Sequence, residues 1–263
     1  MTPTNRRGVL RAGAGLAAGG ALAAGCGAGR TAPPSASSSA PPSAAPAPHA
    51  VSAPPAPAPR AYPGRPAQIT HGPRSRPQVA LTFHGQGDPA LARALLATAE
   101  RHGARLTVLA VGSWLDEHPD LARRVLDGGH DLGNHTQHHV DINALAEPDA
   151  RREITDCAAR LARLTGSVGT WFRPSRTSAA SPLVARLARA AGYPHVLSYD
   201  VDSLDYTRPG AAAVTREVLA GARAGSVVSL HFGYPDTVAA LPDVLTELGR
   251  RGLRAVTTTE LLS

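Results

Sequence analysis

The chain has 263 residues, 43% of them hydrophobic, 18% charged and 4% aromatic, with two cysteines, no lysine and a net charge of +7. That is enough apolar material for one large domain or two small ones, and too few cysteines for a disulfide framework. The positive charge does not mark a nucleic-acid groove: residues 1–76 hold eight arginines and no acid, whereas residues 77–263 hold 19 arginines against 20 acids, so the excess belongs to the leading segment.

In chain order the first feature is Arg6-Arg7, followed by a weakly apolar stretch, AGAGLAAGGALAAG, that ends at Cys26. A positive start, a short apolar middle and small residues at the end are the parts of an export signal. The stretch is too short and glycine-rich for a transmembrane helix, which needs about 20 apolar residues. N-R-R-G-V-L-R resembles a twin-arginine signal, and LAAGC resembles a bacterial lipobox with Ala23 where leucine is usual. Residues 1–26 are therefore read as a signal peptide with a lipobox. The resemblance implies an exported lipoprotein of actinobacterial type, lipidated at Cys26 and held on the outer face of the cell membrane; plain secretion is the alternative. Residues 27–72 are almost wholly Ala, Pro and Ser, and are expected to form a disordered spacer with His49 and His71 solvated.

From residue 77 the chain alternates. Apolar, strand-like runs at 78–83, 105–111, 130–136, 169–174, 195–202, 226–232 and 253–258 are separated by helical patterns at 89–102, 113–128, 147–164, 182–191, 211–223 and 236–251. Such alternation predicts an α/β fold with parallel strands. About seven units in this length fit a distorted barrel better than a full eightfold one. Cys157 falls on the apolar stripe Ile154, Cys157, Ala158, Leu161 and is read as an inert core thiol.

Polar residues collect where the strand-like runs end: His84, then Asn134, His135 and His139, then Arg173, then Asp202 and Asp205, then His231. In a parallel barrel these ends share one rim, where active sites are built. His135 and His139, at i and i+4 in HTQHH, can share a divalent metal, while His138 points away.

Several segments resemble the polysaccharide deacetylases, the NodB-homology family of carbohydrate esterases. GNHTQHH is similar to the family's H-T-x-x-H metal motif, FRPSR to R-P-P-Y with Arg173 kept, DSLDY to D-x-x-D-W with Asp205 kept, and SLH to the L-x-H region around a catalytic His231. VALTF and LRAVTTTELL resemble the family's first strand and closing segment, so the likeness spans residues 77–263. It implies a distorted (β/α) barrel that removes acetyl groups from an N- or O-acetylated glycan. A metal would polarise the acetyl carbonyl, and His231, oriented by Asp205, would protonate the leaving amine; Arg173 would pair with Asp205 and hold it ionised.

TFHGQGDP departs from the family's T-F-D-D-G, because His84 and Gly85 stand where the base and a metal-binding aspartate are expected. Three readings stay open. His84 joins His135 and His139 in a site of three neutral imidazoles, which suits zinc. Alternatively, His84 is the base over a metal held by two histidines with water or Asp88. In the third reading the domain is a degenerate deacetylase, a cell-surface module that binds glycan or metal. Asp202 and Tyr206 are expected to contact substrate. Trp114, Trp171 and Tyr234 are further stacking candidates, Trp171 being the one read as core. An anchored, monomeric domain would meet acetylated peptidoglycan first. Replacing Cys26 with alanine is expected to move the protein from the membrane fraction to the soluble one; a wild-type chain already fully soluble in the medium would refute the anchor.

Overall fold

The structure is a computed structural model, and it describes residues 56–263. The leader, Cys26 and residues 27–55 of the expected spacer lie outside the described residues. Eight strands and eight helices follow one another: β1 (Gln68–Ile69), β2 (Gln78–Gly85), α1 (Pro89–Arg101), β3 (Thr107–Ala110), α2 (Gly112–Glu117), α3 (Asp120–Asp127), β4 (Asp131–Asn134), α4 (Glu147–Thr165), α5 (Pro182–Ala190), β5 (Val196–Leu197), β6 (Val201–Asp202), α6 (Ala211–Gly221), β7 (Val227–His231), α7 (Pro235–Arg250), β8 (Arg254–Val256) and α8 (Thr258–Leu262). Every strand pairing is parallel. The order β4-β3-β2-β7-β6 is extended by β8 on the first half of β2, by bridges from Asn134 to Phe172 and on to Val196, and by β1 on β5. The sheet curls into the distorted barrel that the alternation predicts.

The two-residue period of a strand decides which side chain faces where. On β2, Val79, Leu81 and Phe83 pack outward in a core shared with Leu95, Leu96 and Val244 of α1 and α7. Ala80, Thr82 and His84 therefore point inward. Parallel register sets them opposite Val227, Ser229 and His231 of β7. Ala80 and Val227 join Ile69, Leu109, Trp171 and Leu197 in an apolar plug at the bottom of the barrel. One strand thus rises from apolar filling to polar rim in three inward steps.

The helices begin and end where their sequences allow. Asp88 caps α1 by accepting from the Ala90 amide (2.8 Å) with Pro89 in the first turn, and so it serves the helix rather than a metal. The single helix expected at 113–128 is two helices, α2 and α3, because Pro119 removes an amide donor and forces His118 out of the helical region. The strand expected at 169–174 shrinks to bridges at Phe172.

The disordered spacer expected over 27–72 is corrected for its last part. Residues 56–72 pack on the barrel: β1 pairs with β5, the Tyr62 ring stacks on Trp171 at 5.4 Å, and Ser167 Oγ donates to the Pro57 carbonyl (2.9 Å). The backbone of His71 bridges Ser226, while its side chain is exposed as expected. Ile69 and Tyr62 supply apolar area that the Ala/Pro/Ser run lacks, which offsets the cost of ordering this stretch. A chain beginning at residue 73 is expected to be less stable than one beginning at residue 56 by about 3 kcal/mol or more, read as a lower urea midpoint; equal midpoints would show that the segment contributes nothing.

Candidate active site

The C-terminal ends of β2, β4, β6 and β7, with the segment after Phe172, converge on one rim and carry His84, Asn134, Asp202, His231 and Arg173. Arg173 forms the floor. It is fully buried, and Nε donates to the Leu197 carbonyl (3.2 Å) while Nη2 donates to Thr82 Oγ1 (2.8 Å) and the Ser198 carbonyl (3.0 Å). Burial lowers its pKa to about 10, which still leaves it a cation at neutral pH. The expected pair with Asp205 does not form. Arg173 points down the barrel axis into carbonyl groups, and Asp205 is engaged elsewhere.

Above the floor lie the imidazoles. His135 Nδ1 lies 3.0 Å from the Arg173 carbonyl, so it carries the proton and leaves Nε2 with a free lone pair. That Nε2 is 2.7 Å from His84 Nδ1, whose ring also places Nε2 3.0 Å from Ser229 Oγ and 3.5 Å from Arg173 Nη1. His84, His135 and His139 bring ligand atoms within 4.8 Å of one another. Neutral nitrogen donors of this kind suit zinc, and the Arg173 carbonyl behind His135 fixes its tautomer as outer contacts do in metal sites. His84 can join such a site by moving its proton to Nε2, where Ser229 Oγ accepts it. The residues present therefore fit a divalent metal. Gly85 takes no part: a Cβ there would meet Ala110 Cα and Val108 Cγ1 at 3.0 Å each, on the outer face of the barrel.

The second half of the site is a dyad. Asp205 is fully buried, and its carboxylate accepts from His231 Nδ1 (2.7 Å), the His231 amide (2.8 Å) and Thr237 Oγ1 (2.6 Å). With Nδ1 engaged, His231 turns Nε2 to the cleft. Its ring stacks on His84 at 4.2 Å, which follows directly from their paired register.

Asp202 and Tyr206 both line the cleft, whose volume is about 690 Å³. Tyr234 lines it too, edge-on to His231 at 5.7 Å. Trp171 is core, as expected. Trp114 is also buried and is no stacking platform: its Nε1 donates to the Gly87 carbonyl (2.8 Å) and pins the loop after His84. Gly87 has φ +108 and approaches Gly233 so closely that a Cβ would lie 2.5 Å from its Cα, so this tight crossing requires glycine. His138 is tied to Glu153 (2.7 Å) and takes no part in the cluster of His84, His135 and His139. Burial pushes the Cys157 thiol up to about 12, consistent with an inert core residue.

Sequence reading missed Thr82, Ser229 and Thr237. The first two were within reach, since each lies two residues before an inward histidine. Thr237 reaches Asp205 only through the packing of α7.

A parallel barrel with histidines and an Asp–His pair on its C-terminal rim defines a hydrolase-type site. The polysaccharide deacetylase family model matches residues 71–196. A peptidoglycan-N-acetylglucosamine deacetylase of Bacillus cereus is 31% identical over 194 residues, covering 72% of this chain and 90% of that protein. A chitooligosaccharide deacetylase of Sinorhizobium fredii is 30% identical, covering 67% and 87%. Among solved structures, a peptidoglycan N-acetylglucosamine deacetylase in complex with a hydroxamate-type benzamide matches with a TM-score of 0.70 at 25% identity, over 74% of this chain and 92% of that one. A mutant of a Bacillus anthracis CE4-family pseudoenzyme with restored enzymatic activity matches equally well, with a TM-score of 0.70 at 25% identity over 76% and 72%. The chain belongs to the polysaccharide deacetylase family.

Burial and the Arg176 guanidinium lower the pKa of His139 from 6.5 to about 4. His84 and His135 shift the same way, above all through burial. Between those values the unfolded chain binds protons that the folded chain refuses. Stability is therefore full above pH 6.5 and declines as pH falls toward 4. The urea midpoint of the metal-free protein is expected to drop steadily over that interval; a flat profile would show that the rings are solvated.

Proposed function

We propose that the protein is a metal-dependent deacetylase that hydrolyses acetyl groups on a cell-envelope glycan, peptidoglycan being the first such polymer an exported protein meets. The observation that carries the reading is the Asp205–His231 dyad set against three convergent neutral imidazoles. His84, His135 and His139 would hold the metal, zinc best matching three imidazoles. When bound, the ion would polarise the acetyl carbonyl and make water more acidic.

The chain's own groups do the rest. Asp205 keeps the proton of His231 on Nδ1, so Nε2 alternates between taking a proton from the attacking water and giving one to the departing amine nitrogen. Thr237 and the His231 amide occupy Asp205 Oδ2, which holds the carboxylate in place. Ser229 and Arg173 restrain His84 from below. Tyr206 and Asp202, on the wall beside His231, are suited to hold the sugar. Anchoring through Cys26 on the outer face of the membrane belongs to the same proposal and is supported by the leader sequence alone.

A second reading, a module that binds glycan or metal without turnover, is favoured by one observation: His84 and Gly85 leave the rim without a carboxylate on β2. Metal content and acetate release of the purified protein separate the two. Under the enzyme reading, Asp205→Asn keeps zinc affinity within about twofold and lowers turnover by roughly 10²–10⁴. His84→Ala lowers zinc affinity by about 10²-fold or more and turnover with it. Zinc binding without acetate release from any acetylated glycan would establish the module instead.

A further inference from the structure

We propose that the cleft selects glycans carrying an anionic group beside the acetylated sugar, and that Arg176 and Arg208 read that charge. The proposal deepens the deacetylase reading and relies on it for where the acetyl group sits.

Over residues 77–263 acids outnumber arginines by one, so the domain as a whole is not cationic. On its outer surface arginine is commonly matched: Arg151 and Arg186 share Glu147, and Arg250 and Arg251 share Glu247. In the cleft two arginines share one concavity. Arg176 and Arg208 both line it, and among the described residues neither side chain has a carboxylate partner. Arg208 lies over the Tyr234 ring at 5.8 Å, and Tyr234 in turn meets His231. Arg176 lines the cleft with His139 and is the charged side chain that acts most strongly on it. The two guanidiniums therefore flank the reacting centre, one beside the metal cluster and one beside the dyad.

Of the residues that line the cleft only Asp202 carries a carboxylate, so two guanidiniums face one acid. Asp202, the acid on the wall, accepts from the Leu204 amide (3.1 Å), and Asp205 is sealed beneath His231. Both arginines also have left-handed backbone, with φ of 56° at each, a conformation uncommon for residues that carry a Cβ. A guanidinium presents a planar fork that matches carboxylate or phosphate. An anion on the glycan would relieve the repulsion of two cations facing one cleft; a neutral acetylated glycan would not.

Calorimetry on the full chain tests this with oligosaccharides of equal length: neutral β-1,4 N-acetylglucosamine, the same backbone with a lactyl carboxylate ether on alternate sugars, and the same with a phosphate ester there. At least one anionic ligand is expected to bind about tenfold tighter than the neutral one, and the carboxylate and phosphate arms identify which anion is read. That ratio should shrink between about 50 mM and about 500 mM salt as screening sets in. Arg176→Gln and Arg208→Gln should each lower the ratio roughly threefold, and together bring it close to one. The salt dependence of the wild type tests the idea even if a variant fails to fold. Equal affinities for neutral and anionic ligands, or a preference that survives both substitutions, would overturn it. Acetate release is followed in parallel: its absence with a standing charge preference removes the hydrolase reading alone, whereas equal release from neutral and anionic glycans without an affinity ratio removes this proposal alone.

Discussion

The buried guanidinium of Arg173 is the interaction around which the site is assembled. A fully buried cation without a carboxylate is costly unless its donors are met. Here they are met by groups from separate segments: Thr82 of β2, Leu197 at the end of β5 and Ser198 just beyond it. The Tyr199 ring covers its face at 5.4 Å. Its own carbonyl orients His135, and its Nη1 faces His84. Moving Arg173 would release both rings and the end of β5 together, so the floor of the barrel and the tautomers on its rim are one structural unit.

The same floor explains why the histidine cluster is built of neutral groups. A cation at this depth raises the cost of any further positive charge nearby, and burial adds to that cost. His84 and His135 are accordingly held well below their ordinary pKa, with burial the larger cause in each. A ring that cannot protonate keeps its lone pair, which is the state a metal ligand needs. Desolvation thus keeps these ring nitrogens neutral and their lone pairs available.

Much of this was legible in the sequence, and for a physical reason. Strand period and helix period are local properties, so the alternation from residue 77 and the polar residue at each strand end could be read directly. His84, His135, His139 and His231 meet because parallel strands bring all their ends to one rim. What was not legible depends on register and long-range packing. The family resemblance implies an Arg173–Asp205 pair, yet only the fold reveals that one points into the barrel and the other lies under His231, 2.6 Å from Thr237 of α7. The two-residue strand β1 was hidden within a low-complexity run, where composition outweighs the contribution of single residues such as Tyr62 and Ile69.

Strain in the rim loops completes the picture. The non-glycine residues with positive φ among the described residues are Thr136, His139, Arg176, Leu204 and Arg208, and each lies in a loop at the open end of the barrel. For Thr136, with a branched Cβ, φ of 69° is a true outlier. It persists because buried hydrogen bonds leave the loop no alternative. Its amide donates to Asn134 Oδ1 (2.8 Å), its hydroxyl to Ser175 Oγ (3.0 Å), and the His139 amide donates back to that hydroxyl (3.2 Å). Asn134 in turn donates to the Ile154 carbonyl (2.9 Å) and Tyr193 Oη (3.0 Å) in the interior. A loop with no ligand to hold would relax if its side chains allowed it. Here the core network enforces the turn that sets His139 beside His135, with ring centroids 4.9 Å apart, so the cost of the strain is spent on the geometry of the histidine cluster rather than on the stability of the fold.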